Sequence, residues 1–292
     1  MESIAYLNGK FLPVKEAMIS IMDNGFLFGY GAFAGMRMYD NKVFRLDSHL
    51  SRLQEALQRL AININTYELH TPILETIKSN NVRNGLVRVT ITAGEGSLIP
   101  DTTGCLKPTI VITSTIYNQP TPADYENGFK AVISSFYRHS GSPISEMKTL
   151  NYLESMLARQ AARTANYNEA ILLNEKGYLS ESSSGNVFTV KNKVLKTPRE
   201  NSGFIPGVVR EVVLQIAPEL KIKAIETDIS RKDIFNADEA FLTNSLNEIM
   251  PLVSVDDRPI GSGKPGIITK KFMEAFRELV KRECVLVYGQ KQ

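Results

Sequence analysis

The amino-acid sequence predicts an α/β protein built as two α+β domains, and three observations lead there. Its 292 residues amount to about two domains at roughly 150 residues each. Segments rich in β-branched residues alternate with segments whose apolar residues recur at helical spacing. A polar stretch with two prolines, YNQPTPADYEN at 117–127, interrupts that alternation. It places a first domain at 1–117, a connecting loop at 118–127 and a second domain at 128–292.

Each element has its own signal. IAYL at 4–7 and FLPV at 11–14 flank Asn8-Gly9-Lys10, a strong hairpin signature. The glycine-dense NGFLFGYGAFAG follows. It lacks a GxGxxG or a lysine-serine ending, so it reads as a bulged strand or loop where backbones approach closely. A helix starts near Asp47 or Ser48 as cap and carries Leu50, Leu53, Leu57, Leu60 and Ala61 inward, with Arg52 and Arg59 off that stripe. Residues 86–92 and 109–116 read as strands. Beyond the break come a strand at 129–135, an irregular SGSPISEMK and a helix from about 150 to 165. Short strands joined by tight turns follow. A helix opened by Pro206-Gly207 then carries Val208, Val209, Val212, Val213 and Ile216 inward. A strand at 239–243, a polar turn at 244–247 and a helix near 269–282 complete the chain.

Composition narrows the function. There are 34 Lys and Arg against 31 Asp and Glu, a net charge of +3 without like-charge blocks, which argues against a nucleic-acid partner. No apolar run approaches the roughly 18 residues of a membrane span, and the first residues lack a signal-peptide pattern. Two cysteines, Cys105 and Cys284, fit a reducing cytoplasm. The scattered His49, His70 and His139 offer no metal site. A cytoplasmic enzyme acting on small molecules is the expectation.

Four features bear on chemistry. Lys148 precedes an apolar helix among uncharged residues; buried, its amine becomes a nucleophile toward carbonyls, and solvated, it is an ordinary lysine. Glu181 sits in ESSSGN, either a carboxylate fixed against a heterocyclic N–H⁺ or one of a loop's self-satisfied polar groups. GFIPGVVR at 203–210 opens a helix whose first amides suit a phosphate, although many helices begin so and bind nothing. Thr243-Asn244-Ser245-Leu246 offers a hydroxyl and turn amides after a strand.

Taken in this order, these features resemble the class IV aminotransferases, the pyridoxal-phosphate enzymes of fold type IV. The resemblance runs from YLNGKFLP through GMRMYDNKVFRLDSHLSRL, KTLNYLESMLA, NEAILLNEKGYLSESSSGNVFTV and GFIPGVVREVV to FLTNSLNEIMPL. It implies a small N-terminal domain, a larger C-terminal one, pyridoxal 5'-phosphate in the cleft between them, and a homodimer. By resemblance, Lys148 carries the cofactor as a Schiff base and shuttles the proton, while Glu181 holds the pyridine nitrogen protonated. Arg52, the amides of Val208 and Val209 and the Ser245 hydroxyl bind the phosphate, and Tyr152 meets the phenolic oxygen. Ser184, Asn186, Gly207 and Asn244 join the cofactor contacts. Phe28, Tyr30, Arg37, Arg88 and Leu246 face the substrate.

Within the family, FAGMR at 33–37, Arg88 and EIMP at 248–251 are similar to the branched-chain amino-acid enzymes. There Arg88 stands where an arginine meets a second carboxylate, that of glutamate or 2-oxoglutarate. NSL at 244–246 and KTLNYL are also similar to the 4-amino-4-deoxychorismate lyases. Ala93-Gly94-Glu95 replaces the arginine and histidine of the D-amino-acid enzymes. The expectation is an aminotransferase passing an amino group between an L-amino acid, branched-chain-like or glutamate, and a 2-oxo acid. The lyase is the alternative, and a D-amino-acid or (R)-amine transaminase a further one.

Overall fold

In the computed structural model, residues 2–101, 104–105 and 107–284 are described. The chain forms two compact units. The first comprises Met1–Asn118, Met147–Asn151 and Val280–Gln292, and the second Gln119–Glu146 and Tyr152–Leu279. The first unit thus takes in a five-residue segment from mid-chain, which a division by chain position does not anticipate.

The first unit contains β1 (Ile4–Leu7), β2 (Lys10–Pro13), α1 (Asn24–Phe28), β3 (Gly31–Tyr39), β4 (Lys42–Val43), α2 (Leu46–Arg59), α3 (His70–Asn80), β5 (Gly85–Thr92) and β6 (Thr109–Ile116). The strands form one sheet in the order β2-β1-β6-β5-β3-β4, antiparallel throughout. Strand alternation divides the side chains of β3 between two faces. Ala32, Ala34, Met36 and Met38 pack with Val87, Val89 and Ile91 of β5 against Leu50, Leu53 and Leu57 of α2 and Ile73 and Ile77 of α3. Each such buried leucine or isoleucine contributes about 1.5–3 kcal/mol. Phe33, Gly35 and Arg37 point to the other face. There they stand opposite Thr90, Arg88 and Leu86 of β5.

The glycine-dense stretch is therefore not one loop. Its first half is α1, capped by Asp23, whose carboxylate accepts from the Gly25 amide at 2.7 Å and from the Thr92 and Thr109 hydroxyls. Its second half enters β3. The helix α2 also begins earlier than its capping residues suggest. Arg45 occupies the cap position in the left-handed region without a side-chain bond, and Asp47 falls inside the first turn, where its charge complements the helix dipole. Ala61 lies past the helix end at φ +52° and is exposed.

The second unit contains α4 (Pro122–Asn127), β7 (Phe129–Arg138), α5 (Leu153–Thr164), β8 (Glu169–Asn174), β9 (Leu179–Ser182), β10 (Asn186–Lys191), β11 (Val194–Pro198), α6 (Val208–Glu219), β12 (Ala224–Thr227), α7 (Arg231–Phe235), β13 (Glu239–Asn244), β14 (Glu248–Val255), β15 (Arg258–Pro259) and most of α8 (Ile267–Cys284), whose residues from Val280 on belong to the first unit. Its mixed sheet has the order β12-β11-β10-β13-β14-β7-β8-β9, with β15 against β14. All six residues of β8 are buried, as expected of a strand covered on both faces. Ile171 and Leu173 pack with Val187, Leu242 and Ile234, while Ala170 and Leu172 pack against Ala158 and Ala162 of α5. Phe188 stacks on Phe241 at 4.9 Å, which tilts against Phe272 of α8 at 5.8 Å.

Two expected boundaries shift. The connecting stretch at 117–127 holds a helix, α4, closed by a capping box between Thr121 and Asp124 with proline at its start. That signal was present in the sequence beneath the prolines. The helix expected from 150 starts at Leu153, because residues 148–150 are held by β3 instead. The Phe33 amide donates to the Lys148 carbonyl at 3.0 Å and the Leu150 amide to the Gly31 carbonyl at 2.9 Å.

Candidate active site

Backbone pairing to β3 puts Lys148 beside the face that carries Phe33, Arg37 and Arg88. Lys148 Nζ lies 4.7 Å from the centroid of the Phe33 ring, and the guanidinium carbon of Arg88 lies 3.8 Å from the same centroid. Arg88 Nε donates to the Thr90 hydroxyl at 3.1 Å, which turns the guanidinium along the strand. Arg37 is buried and stacks on Tyr39 at 5.3 Å and Tyr117 at 4.6 Å. One aromatic ring therefore gathers an amine and a guanidinium, a pairing that cation–π attraction favours.

On α2, half-buried Arg52 stands one turn after His49, with Nη2 3.5 Å from His49 Nδ1. His49 is only 1% exposed. Burial, and then the charges of Arg52 and Lys148, hold its pKa well below the ordinary 6.5. The imidazole is thus neutral beside two cations.

The second unit supplies a carboxylate and a helix end. Glu181 on β9 is buried. Its Oε1 accepts from Arg138 Nε at 2.9 Å and Nη2 at 2.5 Å, and its Oε2 from the Ile205 amide at 3.1 Å. Gly207 caps α6 with no side-chain bond to the first amides. A Cβ there would stand 2.1 Å from Asn186 Oδ1, so any larger residue would have to displace the Asn186 carboxamide or the helix start. Asn186 Nδ2 in turn donates to the Ile205 carbonyl at 2.9 Å, fixing the approach of the chain to Val208 and Val209. Beside this end, the Asn244 carboxamide oxygen accepts from the Leu246 and Asn247 amides at 2.9 and 2.7 Å, shaping the turn that carries Ser245. The Ser184 hydroxyl donates to Glu169 at 2.5 Å and accepts from Asn244 Nδ2 at 3.4 Å. Tyr152 is the residue before α5 and half-buried.

Most residues expected from the sequence thus fall into two groups, one in each unit. Tyr30 does not join the first. Its hydroxyl donates to the Leu60 carbonyl at 2.6 Å and its ring packs on the α2 side of the sheet, so its role there is structural. Phe28 ends α1 and is exposed. Sequence reasoning missed Phe33, His49 and Arg138. Of these, only His49 had a visible signal, its spacing three residues before Arg52. Thr243, first residue of the Thr243–Leu246 segment singled out from the sequence, has a buried hydroxyl without a hydrogen-bond partner among the described residues.

Taken unit by unit, the second offers an uncapped helix N-terminus of the kind that suits a dianion and a buried carboxylate of the kind that suits a ring N–H⁺, and the first offers the amine of Lys148, of the kind that adds to a carbonyl. Among the described residues no group of His, Cys, Asp and Glu is able to hold a metal, and no helix is long and apolar enough to cross a membrane. The pattern of the family described as amino-transferase class IV matches residues 31–255. The chain belongs to the class IV aminotransferases. As such it is a pyridoxal-phosphate-dependent enzyme of fold type IV.

Its likenesses within the family are close. A relative named "putative branched-chain-amino-acid aminotransferase" in Methanocaldococcus jannaschii is 38% identical, over 98% of this chain and 99% of that one. The crystal structure of the Escherichia coli branched-chain amino acid aminotransferase superposes with a TM-score of 0.92 at 29% identity, covering 99% and 98% of the two chains. The branched-chain aminotransferase of Thermoproteus uzoniensis, solved with norvaline, gives 0.89 at 30% identity, covering 96% and 95%. Other solved branched-chain enzymes similar to this class IV chain carry pyridoxamine 5'-phosphate and N-(5'-phosphopyridoxyl)-L-glutamate.

Proposed function

We propose that this class IV aminotransferase moves an amino group between branched-chain L-amino acids and 2-oxo acids, with L-glutamate and 2-oxoglutarate as the second pair. The observation that carries the reading is the placement of Arg88 and Lys148 over one phenylalanine ring. In this reading the Arg88 guanidinium would take a substrate carboxylate beside the amine, and the buried Phe33 ring would hold the two cations side by side. The names of the relatives support the same substrates.

In this reading Lys148 Nζ would hold the cofactor at its carbonyl carbon and would serve as the base for the proton on the substrate Cα. Pyridoxal 5'-phosphate supplies the electron sink that makes that proton acidic. Arg52, the amides of Val208 and Val209 and the Ser245 hydroxyl hold the phosphate, with Gly207, Asn186, Ser184 and Asn244 shaping the cup. Glu181 keeps the ring nitrogen protonated and Tyr152 hydrogen-bonds the phenolic oxygen. Arg37, Phe28 and Leu246 line the substrate side.

The two compact units correspond in this proposal to a small and a large domain, and the enzyme is a cytoplasmic homodimer. Exposed Met18, Ile21 and Phe26, with Leu98 and Ile99, supply an apolar face of the kind that subunit contacts cover. The Gly96 amide, bonded to the Met22 carbonyl at 3.1 Å, ties the two segments together. Steady-state assays with L-leucine, D-alanine, an (R)-amine and 4-amino-4-deoxychorismate test the choice of reaction. Turnover of L-leucine with 2-oxoglutarate at least about a hundredfold above the others in kcat/KM is expected. Pyruvate release from aminodeoxychorismate as the main activity would replace this reading by the lyase.

A further inference from the structure

Arg138 ends β7 with a side chain only 7% exposed, between Glu181, 5% exposed, and Glu154, 37% exposed. Two of its nitrogens converge on Glu181 Oε1, and Nη1 donates to Glu154 Oε2 at 3.1 Å. Burial by itself lowers the pKa of the guanidinium, but the charge of Glu181 and then that of Glu154 outweigh it, and the net shift is upward. Arg138 is a permanent cation in a nearly dry place.

We infer that Arg138, backed by Glu154, is a positioning residue that holds Glu181 as an oriented carboxylate and thereby keeps the proton on the cofactor's ring nitrogen. The inference rests on the assignment of Glu181 to that nitrogen. A buried carboxylate and a pyridine nitrogen compete for one proton. With no cation near it, a buried carboxylate takes the proton, because desolvation penalises its charge. Arg138 prevents this by direct contact with Oε1. Its attraction for the carboxylate therefore exceeds its repulsion of a ring cation lying beyond that carboxylate.

Glu154 has a separate part. A Glu181–Arg138 pair alone is neutral and exerts little net pull on a ring cation. Glu154 as third member leaves the cluster with one net negative charge, which the protonated ring balances. An ion pair that served only to bury Glu181 would have no need of the partly exposed second carboxylate.

The test is the ring-nitrogen ¹⁵N chemical shift of holoenzyme loaded with ¹⁵N-labelled pyridoxal phosphate, measured against pH for wild type, E181Q, R138Q, R138K and E154Q. In R138Q the nitrogen moves toward the unprotonated position, and kcat for L-leucine falls about tenfold or more with KM within about threefold. R138K, which keeps the charge, restores most of the protonated signal. E154Q alters a partly exposed side chain, so it remains informative if R138Q does not fold; its ring nitrogen loses its proton at a pH lower by about half a unit or more. A wild-type ¹⁵N profile in folded R138Q, or in E154Q, overturns the inference. If E181Q shifts while R138Q does not, the Arg138 inference alone fails. If E181Q itself leaves the profile unchanged, the assignment of Glu181 fails and the inference with it.

Discussion

Arg88 rests on the face of Phe33, its guanidinium carbon 3.8 Å from the ring centroid, and the amine of Lys148 approaches the same ring at 4.7 Å. The contact follows from register. Arg88 is the partner of Gly35, and Phe33, the partner of Thr90, is two residues along the same strand and so on the same face. In the proposed reaction, a carboxylate bound by Arg88 would lie near the Lys148 amine.

Arg88→Ala removes a fork that binds a carboxylate with two parallel hydrogen bonds. The KM for 2-oxoglutarate should rise about tenfold or more, while that for a branched-chain 2-oxo acid changes less than about threefold. Parallel kinetics with the two acceptors check this; an equal loss with both would reduce Arg88 to packing on Phe33.

Lys148→Ala should lower turnover by more than about a thousandfold and abolish the visible absorption that pyridoxal phosphate acquires on joining the lysine. Cofactor retained through its phosphate contacts alone would show only the spectrum of the free aldehyde. Titration of the variant with cofactor, followed by absorbance, distinguishes the two states.

Gly207→Ala forces a methyl group to within 2.1 Å of Asn186 Oδ1. Either Asn186 gives up the Ile205 carbonyl or the first turn of α6 moves. Overpacking of this kind costs about 1–3 kcal/mol. If, as proposed, these groups shape the phosphate cup, the dissociation constant for pyridoxal phosphate should rise about tenfold. Equilibrium dialysis and a denaturant melt measure the two effects separately.

His49 is neutral in the fold because its pKa is depressed, whereas in the unfolded chain it titrates near the ordinary 6.5. The unfolded state therefore binds an extra proton as pH falls through that value. The stability present above it is lost progressively on acidification toward the folded-state pKa. His49→Gln should flatten the decline in unfolding free energy between about pH 7.5 and 5.5. Denaturant melts at the two pH values check it, and an unchanged decline would assign the acid sensitivity to other groups.

How much of this was legible depends on whether local chemistry or long-range register sets a residue's place. The α6 stripe of Val208, Val209, Val212, Val213 and Ile216 is buried as its spacing demands, because helical periodicity is a local property. Lys148, Glu181 and Arg52 stood out through the order of their motifs. Phe33 did not, since nothing nearby in sequence announces that residues 148–150 return to β3 and bring the lysine over its ring. Arg138 escaped for the same reason: it lies 43 residues from Glu181, and only the parallel pairing of β7 with β8, with β9 beyond, brings them together. The contacts of Tyr30 were equally out of reach of the sequence, since the Leu60 carbonyl that accepts from its hydroxyl lies 30 residues away.

The most direct test of the account is the visible spectrum of the purified protein with pyridoxal phosphate, recorded before and after L-leucine and again after 2-oxoglutarate. The account predicts a visible band that L-leucine bleaches and 2-oxoglutarate restores, with 4-methyl-2-oxopentanoate and then L-glutamate as products. A band that L-leucine and L-glutamate leave untouched, or no band at all in a folded protein, would contradict it.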